Sequence, residues 1–90
     1  MATYVLIALG AFADTLDKAV QAKIAKEDSH QMESGKWLVS SASATSKELA
    51  DSLALSDAVT FFLAPVRGYF GRAKPDIWEW LAAKATKANG

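Results

Sequence analysis

Two short runs, TYVLIAL from Thr3 to Leu9 and AVTFFLA from Ala58 to Ala64, limit what this chain can become. Both are rich in β-branched and aromatic residues and both end at a breaker, Gly10 and Pro65, so they read as strands. A strand in a sheet covered on one side alternates apolar with polar side chains. These do not: Tyr4, Leu6 and Ala8 oppose Val5, Ile7 and Leu9, and Val59, Phe61 and Leu63 oppose Thr60, Phe62 and Ala64. The sheet they build needs cover on both faces. A chain of 90 residues has a single small core with which to provide it, because a domain of this size buries only roughly 60 to 65% of the surface its unfolded chain exposes.

Between the runs the period changes. Phe12, Ala13, Leu16, Ala19, Val20 and Ile24 recur at threes and fours, predicting an amphipathic helix with Asp14 near its start and Lys23 and Lys26 near its end, as the helix dipole prefers. SHQME (29–33) and KWLVSS (36–41) flank Ser34-Gly35 and read as a hairpin whose polar first arm suits an edge strand. Thr45 to Glu48 (TSKE) is a capping box ahead of a short helix with Leu49, Ala50, Leu53 and Ala54 inward. After the AVTFFLA strand, Pro75 opens a final helix, with Ile77, Trp78, Leu81 and Ala85 on one face, Trp80 to the side and a tail from Ala85 that should fray.

The predicted order is β-α-β-β-α-β plus a helix. That is the ferredoxin-like α+β arrangement: a four-stranded antiparallel sheet with its first and third strands central, two helices on one face and a C-terminal helix, forming one domain over residues 1–90. Two helices cover one face. Left open, the other would expose an apolar patch of the several-hundred-Å² size that marks an interaction site, so the C-terminal helix or a second copy must cover it. A homodimer is the favoured expectation, two-fold dimers being the commonest soluble assembly.

Lysine and arginine balance aspartate and glutamate at ten each. This excludes a strongly basic nucleic-acid binder, and with 51% hydrophobic and 22% charged residues the chain is not a disordered one. There is no cysteine, hence no disulfide, thiolate metal site or cysteine nucleophile. The opening apolar run is too short to span a bilayer and lacks the pattern of a secretion signal, so a cytoplasmic location without membrane attachment is expected.

ESGKWLVSS (33–41), the capped helix, the following strand and GYFGRAKPDIWEWL (68–81) together resemble a group of small bacterial proteins similar to CRISPR-associated protein 2. The resemblance implies a ferredoxin-like protomer that dimerises through its sheet, and a nucleic-acid or defence-related setting. In the nuclease branch of that family an aspartate ends the first strand and its two-fold mate joins it around a divalent metal. Here that position reads Ala8-Leu9-Gly10. Asp14 and Asp17, the nearest acids, do not match the motif, so no hard oxygen ligand stands where such an ion would sit.

Other chemistry is sparse. His30 is a lone histidine in a polar edge strand and reads as a surface residue; the serines from 40 to 46 have no nucleophile-elbow motif; no phosphate loop, dinucleotide fingerprint or zinc spacing occurs. Asp51 and Asp57 read as solvated, Trp37 and Trp78 as core. No catalytic residue, cofactor or metal is expected.

What folding leaves over is Arg67, Tyr69, Phe70, Arg72 and Lys74 with Trp80. Cations among aromatics suit a phosphate backbone with stacked bases. Three charges on a neutral chain favour instead an assembly surface, the arginines meeting acids such as Asp76 or Glu79 of a neighbour. The expectation is a non-catalytic homodimeric binding or scaffold protein with a protein partner, and nucleic acid ranked second. Its rivals are a degenerate metal-dependent nuclease using Asp14 or Asp17, and a small inhibitor from a mobile element that docks on a larger protein.

Overall fold

The structure is a computed structural model that describes residues 1–69, 71–72 and 75–89, with side chains through residue 84. It is an α+β fold. The elements run β1 (Ala2–Ala8), α1 (Ala13–Lys23), a single 3-10 turn (Lys26–Asp28), β2 (Ser29–Glu33), β3 (Lys36–Ser41), α2 (Ser46–Leu53), β4 (Phe61–Pro65) and α3 (Pro75–Asn89). The four strands form one sheet in the order β2-β3-β1-β4, with every neighbouring pair antiparallel. The two central strands are therefore the first and third, as the pattern predicts.

Register sorts the side chains onto two faces. Leu6 lies opposite Trp37 on one side and Leu63 on the other, and Tyr4 opposite Val39, so these residues share a face with Ala8 and Phe61. Leu16 and Val20 of α1 and Leu49 and Leu53 of α2 close on that face, and with Tyr4, Leu6, Trp37, Val39 and Val59 they make the buried core. Burying a side chain of this size stabilises the fold by about 1.5–3 kcal/mol. Tyr4 keeps its hydroxyl satisfied by donating to Ser43 O at 2.8 Å.

The second face carries Val5 and Ile7 of β1, Leu38 and Ser40 of β3, His30 of β2 and Phe62 of β4. Its cover is unequal. Leu38 and Ser40 are buried yet lie outside the two-helix core, and Leu81 of α3 is buried as well. α3 lies nearest β2, with Trp80 beside the His30 ring. The C-terminal helix thus closes the β2–β3 side of this face. Towards β4, Phe62 is 54% exposed and Leu9, just past β1, is 64% exposed.

Several local expectations change. β4 starts at Phe61 rather than at residue 58 and includes Pro65; Val59 reaches the core from the loop before the strand, because burial does not require strand geometry. Pro65 is tolerated because β4 is an edge. Ala54 is not inward: it is the exposed C-cap of α2 in the left-handed region, φ 53°. α3 runs from Pro75 to Asn89. In the hairpin only Gly35 takes a positive φ, 74°, and Ser34 does not, so the turn is not the doubly positive type that matches strand twist best. A bulge between Gln31 and Glu33 absorbs the difference. The capping box is present, with Glu48 N donating to Thr45 Oγ1 at 3.1 Å, but Glu48 Oε2 accepts from Ala44 N at 3.0 Å rather than from the cap residue itself.

Candidate functional site

Three regions hold the side chains singled out above. The first is a carboxylate anchor. Asp17 sits on the face of α1 that looks at the hairpin, and its Oδ1 accepts from Gly35 N at 2.8 Å and from Trp37 Nε1 at 2.7 Å, while Ser34 Oγ donates to Oδ2 at 3.3 Å. Gly35 O in turn accepts from Ala8 N at 2.7 Å. This acid ties helix, hairpin and first strand together. Its oxygens are occupied by donors, which is the arrangement of a structural carboxylate and not of an open metal ligand. Asp14, the other acid weighed for metal chemistry, is exposed, and among the described residues no three histidine, aspartate or glutamate side chains cluster as a metal site would require.

The second region is the seam between β2 and α3. The His30 side chain is 20% exposed and its Nε2 lies 3.0 Å from Asp76 Oδ2. That is ion-pair distance, but the ring N–H is not aligned as a hydrogen bond, so the buried Nε2 has a carboxylate beside it and no hydrogen-bond partner in line. Trp80 lies against the same imidazole, ring centres 6.0 Å apart. One turn on, Lys84 is buried to 8% exposure, pairs with Asp28 at 3.0 Å and holds its ammonium 5.6 Å from the Trp80 ring centre. His30 is therefore not a surface residue. Asp76 lies beside His30 of its own chain and is itself 56% exposed.

These contacts form one wall of a groove of about 620 Å³, whose lining includes Ile24, Lys26, His30, Gln31, Trp37 and Trp80. Sequence reasoning missed it, because its walls come from α1, β2, β3 and α3 and no local motif announces them. His30 and Trp80 stand 50 residues apart in the sequence, so their meeting is not visible there.

The third region holds the arginine segment. Arg67 and Arg72 are exposed; Phe70 and Lys74 lie outside the described residues. Tyr69 is 53% exposed and stacks on Trp78, ring centres 5.9 Å apart and planes 7° from parallel. Trp78 is thus half-buried under a tyrosine and not part of the core. Arg67 and Tyr69 line a second cavity of about 480 Å³ with Thr3, Thr45, Val66 and Leu81. Trp80 is absent from this cavity and lines the other, so the structure splits the sequence-based candidate surface: Arg67 and Tyr69 lie together, Trp80 apart.

One ionisation stands out, in the first turn of α2. Lys47 is held above its ordinary pKa by its hydrogen bond to Asp51 and by that residue's charge, so Asp51 has a structural partner one helical turn away. No helix among the described residues is long and apolar enough to cross a membrane. No family model, curated protein or solved structure matches the chain.

Proposed function

We propose that this chain is a non-catalytic binding or scaffold protein, cytoplasmic and acting in a nucleic-acid or defence-related context, that works as a homodimer of ferredoxin-like protomers akin to the CRISPR-associated protein 2 group. The element order and the strand order support the ferredoxin-like reading. The observation that carries the dimer is Phe62. Its ring stands out of the sheet with 54% of its surface exposed, opposite Ile7 in the ladder and near exposed Leu9, on the part of the second face that α3 leaves open. Large apolar side chains grouped on a sheet face are disfavoured in water and favoured against a like surface. A two-fold axis near Phe62 places that surface against itself.

Arg67, Tyr69 and Arg72 then remain outside the dimer seam for a partner protein, nucleic acid being the second reading since an exposed tyrosine beside arginine also suits a stacked base. The nuclease alternative is weakened by the occupation of Asp17. The test is the solution mass of the wild type against Phe62→Glu, with circular dichroism to show that the variant is folded. A dimer that Phe62→Glu converts to monomer supports the reading; an unchanged mass removes it.

A further inference from the structure

The groove beside Trp80 has a floor of unusual kind. In a strand, successive side chains point to opposite faces, and Gln31 pairs with Trp37 on the two-helix face while His30 pairs with Leu38 on the other. Residues of both faces line the groove, together with Ile24 and Lys26 from one side of the sheet and Trp80 from the other. Only a groove that runs along the edge of β2 can collect all of these. β2 is an outermost strand of the sheet, and among the described residues no strand lies beyond Ser29 to Gln31.

We infer that this edge is a docking site for an extended peptide segment of another protein, which adds beside β2 as a fifth strand. Recognition by strand addition draws affinity from main-chain hydrogen bonds and specificity from pockets for alternate side chains. Both parts are present. A strand laid along Ser29 to Gln31 turns one side chain toward Ile24 and Trp37 and the next toward His30 and Trp80, so the ligand is neutral and apolar or aromatic at alternate positions. The groove volume of about 620 Å³ falls within the roughly 300–1,000 Å³ of sites that hold small ligands.

The two edges of the sheet are not equivalent. β4 ends in Pro65, which has no N–H to offer, whereas Ser29, His30 and Gln31 carry no proline and β2 is protected only by its short length, its bulge and α3 on one face. The bulge between Gln31 and Glu33 limits the open part to these three residues. A second copy is a poor occupant. A second copy paired through β2 would also bring its own α3, which lies against β2, into the neighbourhood of the first. A bare peptide strand brings no such helix. The site lies on the edge opposite β4 and does not depend on the dimer.

The experiment uses the intact chain to select from a displayed library of random heptapeptides, followed by synthesis of the enriched peptide with both ends blocked. Amide hydrogen exchange of the protein is read with and without it. The expected result is an alternating apolar sequence whose binding slows exchange at outward amides within Ser29 to Gln31, is weakened about tenfold or more by Trp80→Ala, and is abolished by N-methylation of alternate peptide amides. N-methylation leaves the protein untouched, so the proposal stays testable if Trp80→Ala disturbs α3. No enriched peptide, a peptide indifferent to N-methylation at every position, or binding that protects amides elsewhere overturns it. So does concentration-dependent protection of Ser29 to Gln31 in the free protein, which would make a second copy the occupant. The solution mass, which tests the dimer, is unaffected by any of these outcomes.

Discussion

Trp37 Nε1 donates to Asp17 Oδ1 at 2.7 Å, across the join between a helix and the hairpin's second strand. The indole belongs to the core at 4% exposure, and its N–H has been taken from water. Asp17→Ala leaves that donor without its acceptor, and a buried unsatisfied group costs about 1–3 kcal/mol. Asp17→Asn keeps a side-chain oxygen in place and should lose clearly less. Urea denaturation of both variants measures the difference; equal losses, or none, would show that the tie does not hold the hairpin.

Gly35 meets two constraints at once. Its φ of 74° is in the left-handed region, and a Cβ there would come within 2.9 Å of Ala13 Cβ and 3.0 Å of Ala8 Cβ. The backbone alone costs roughly 1–2 kcal/mol for a residue with a side chain, and crowding adds about 1–3 kcal/mol. Gly35→Ala is therefore expected to lower unfolding free energy by at least ~2 kcal/mol, measured by chemical denaturation. Gly68, which has nothing within 4 Å of a built Cβ, serves as the control and should tolerate alanine within about 0.5 kcal/mol.

The pair of Asp28 and Lys84 is asymmetric: the lysine is 8% exposed and the aspartate 27%. Removing one partner of a buried pair costs about 3–5 kcal/mol when the other charge stays buried. Asp28→Ala strands the more buried group and should be the worse change. Lys84→Met removes that charge, retains the apolar stem over Trp80 and leaves an aspartate that water can reach. Hydrogen exchange along α3 reports it, with faster exchange in Asp28→Ala than in Lys84→Met; the reverse order would mean that α3 is held by something else.

Thr45 caps α2 through Glu48 N. Thr45→Ala should cost about 1 kcal/mol in thermal or chemical unfolding, with no effect on the solution mass.

How much of this was legible depends on range in sequence. The capping box, the hairpin and Pro75 at the start of α3 are local signals, set by backbone angles and nearby hydrogen bonds, and each appears at its residue. The two-faced apolar strands ask for cover on both sides of the sheet; the structure has it on the two-helix face and on the β2–β3 side of the other. Which cover applied was not legible: α3 closes the β2–β3 side and leaves Phe62 open, a division that depends on where Trp80 and Lys84 find His30 and Asp28, more than fifty residues before Lys84 in the case of Asp28, |i−j| 56. The same limit hid the role of Asp17, whose partners lie 17 to 20 residues on. Trp78 was read as core from its helical face, but helical spacing does not say whether a face meets the sheet or a tyrosine from the preceding loop.

The central claim, that a second copy covers the open end of the sheet around Phe62, is tested most directly by multi-angle light scattering on the intact chain across a concentration series. The account predicts a mass of two chains for the wild type and one for Phe62→Glu. A wild-type mass of one chain at every concentration would contradict it.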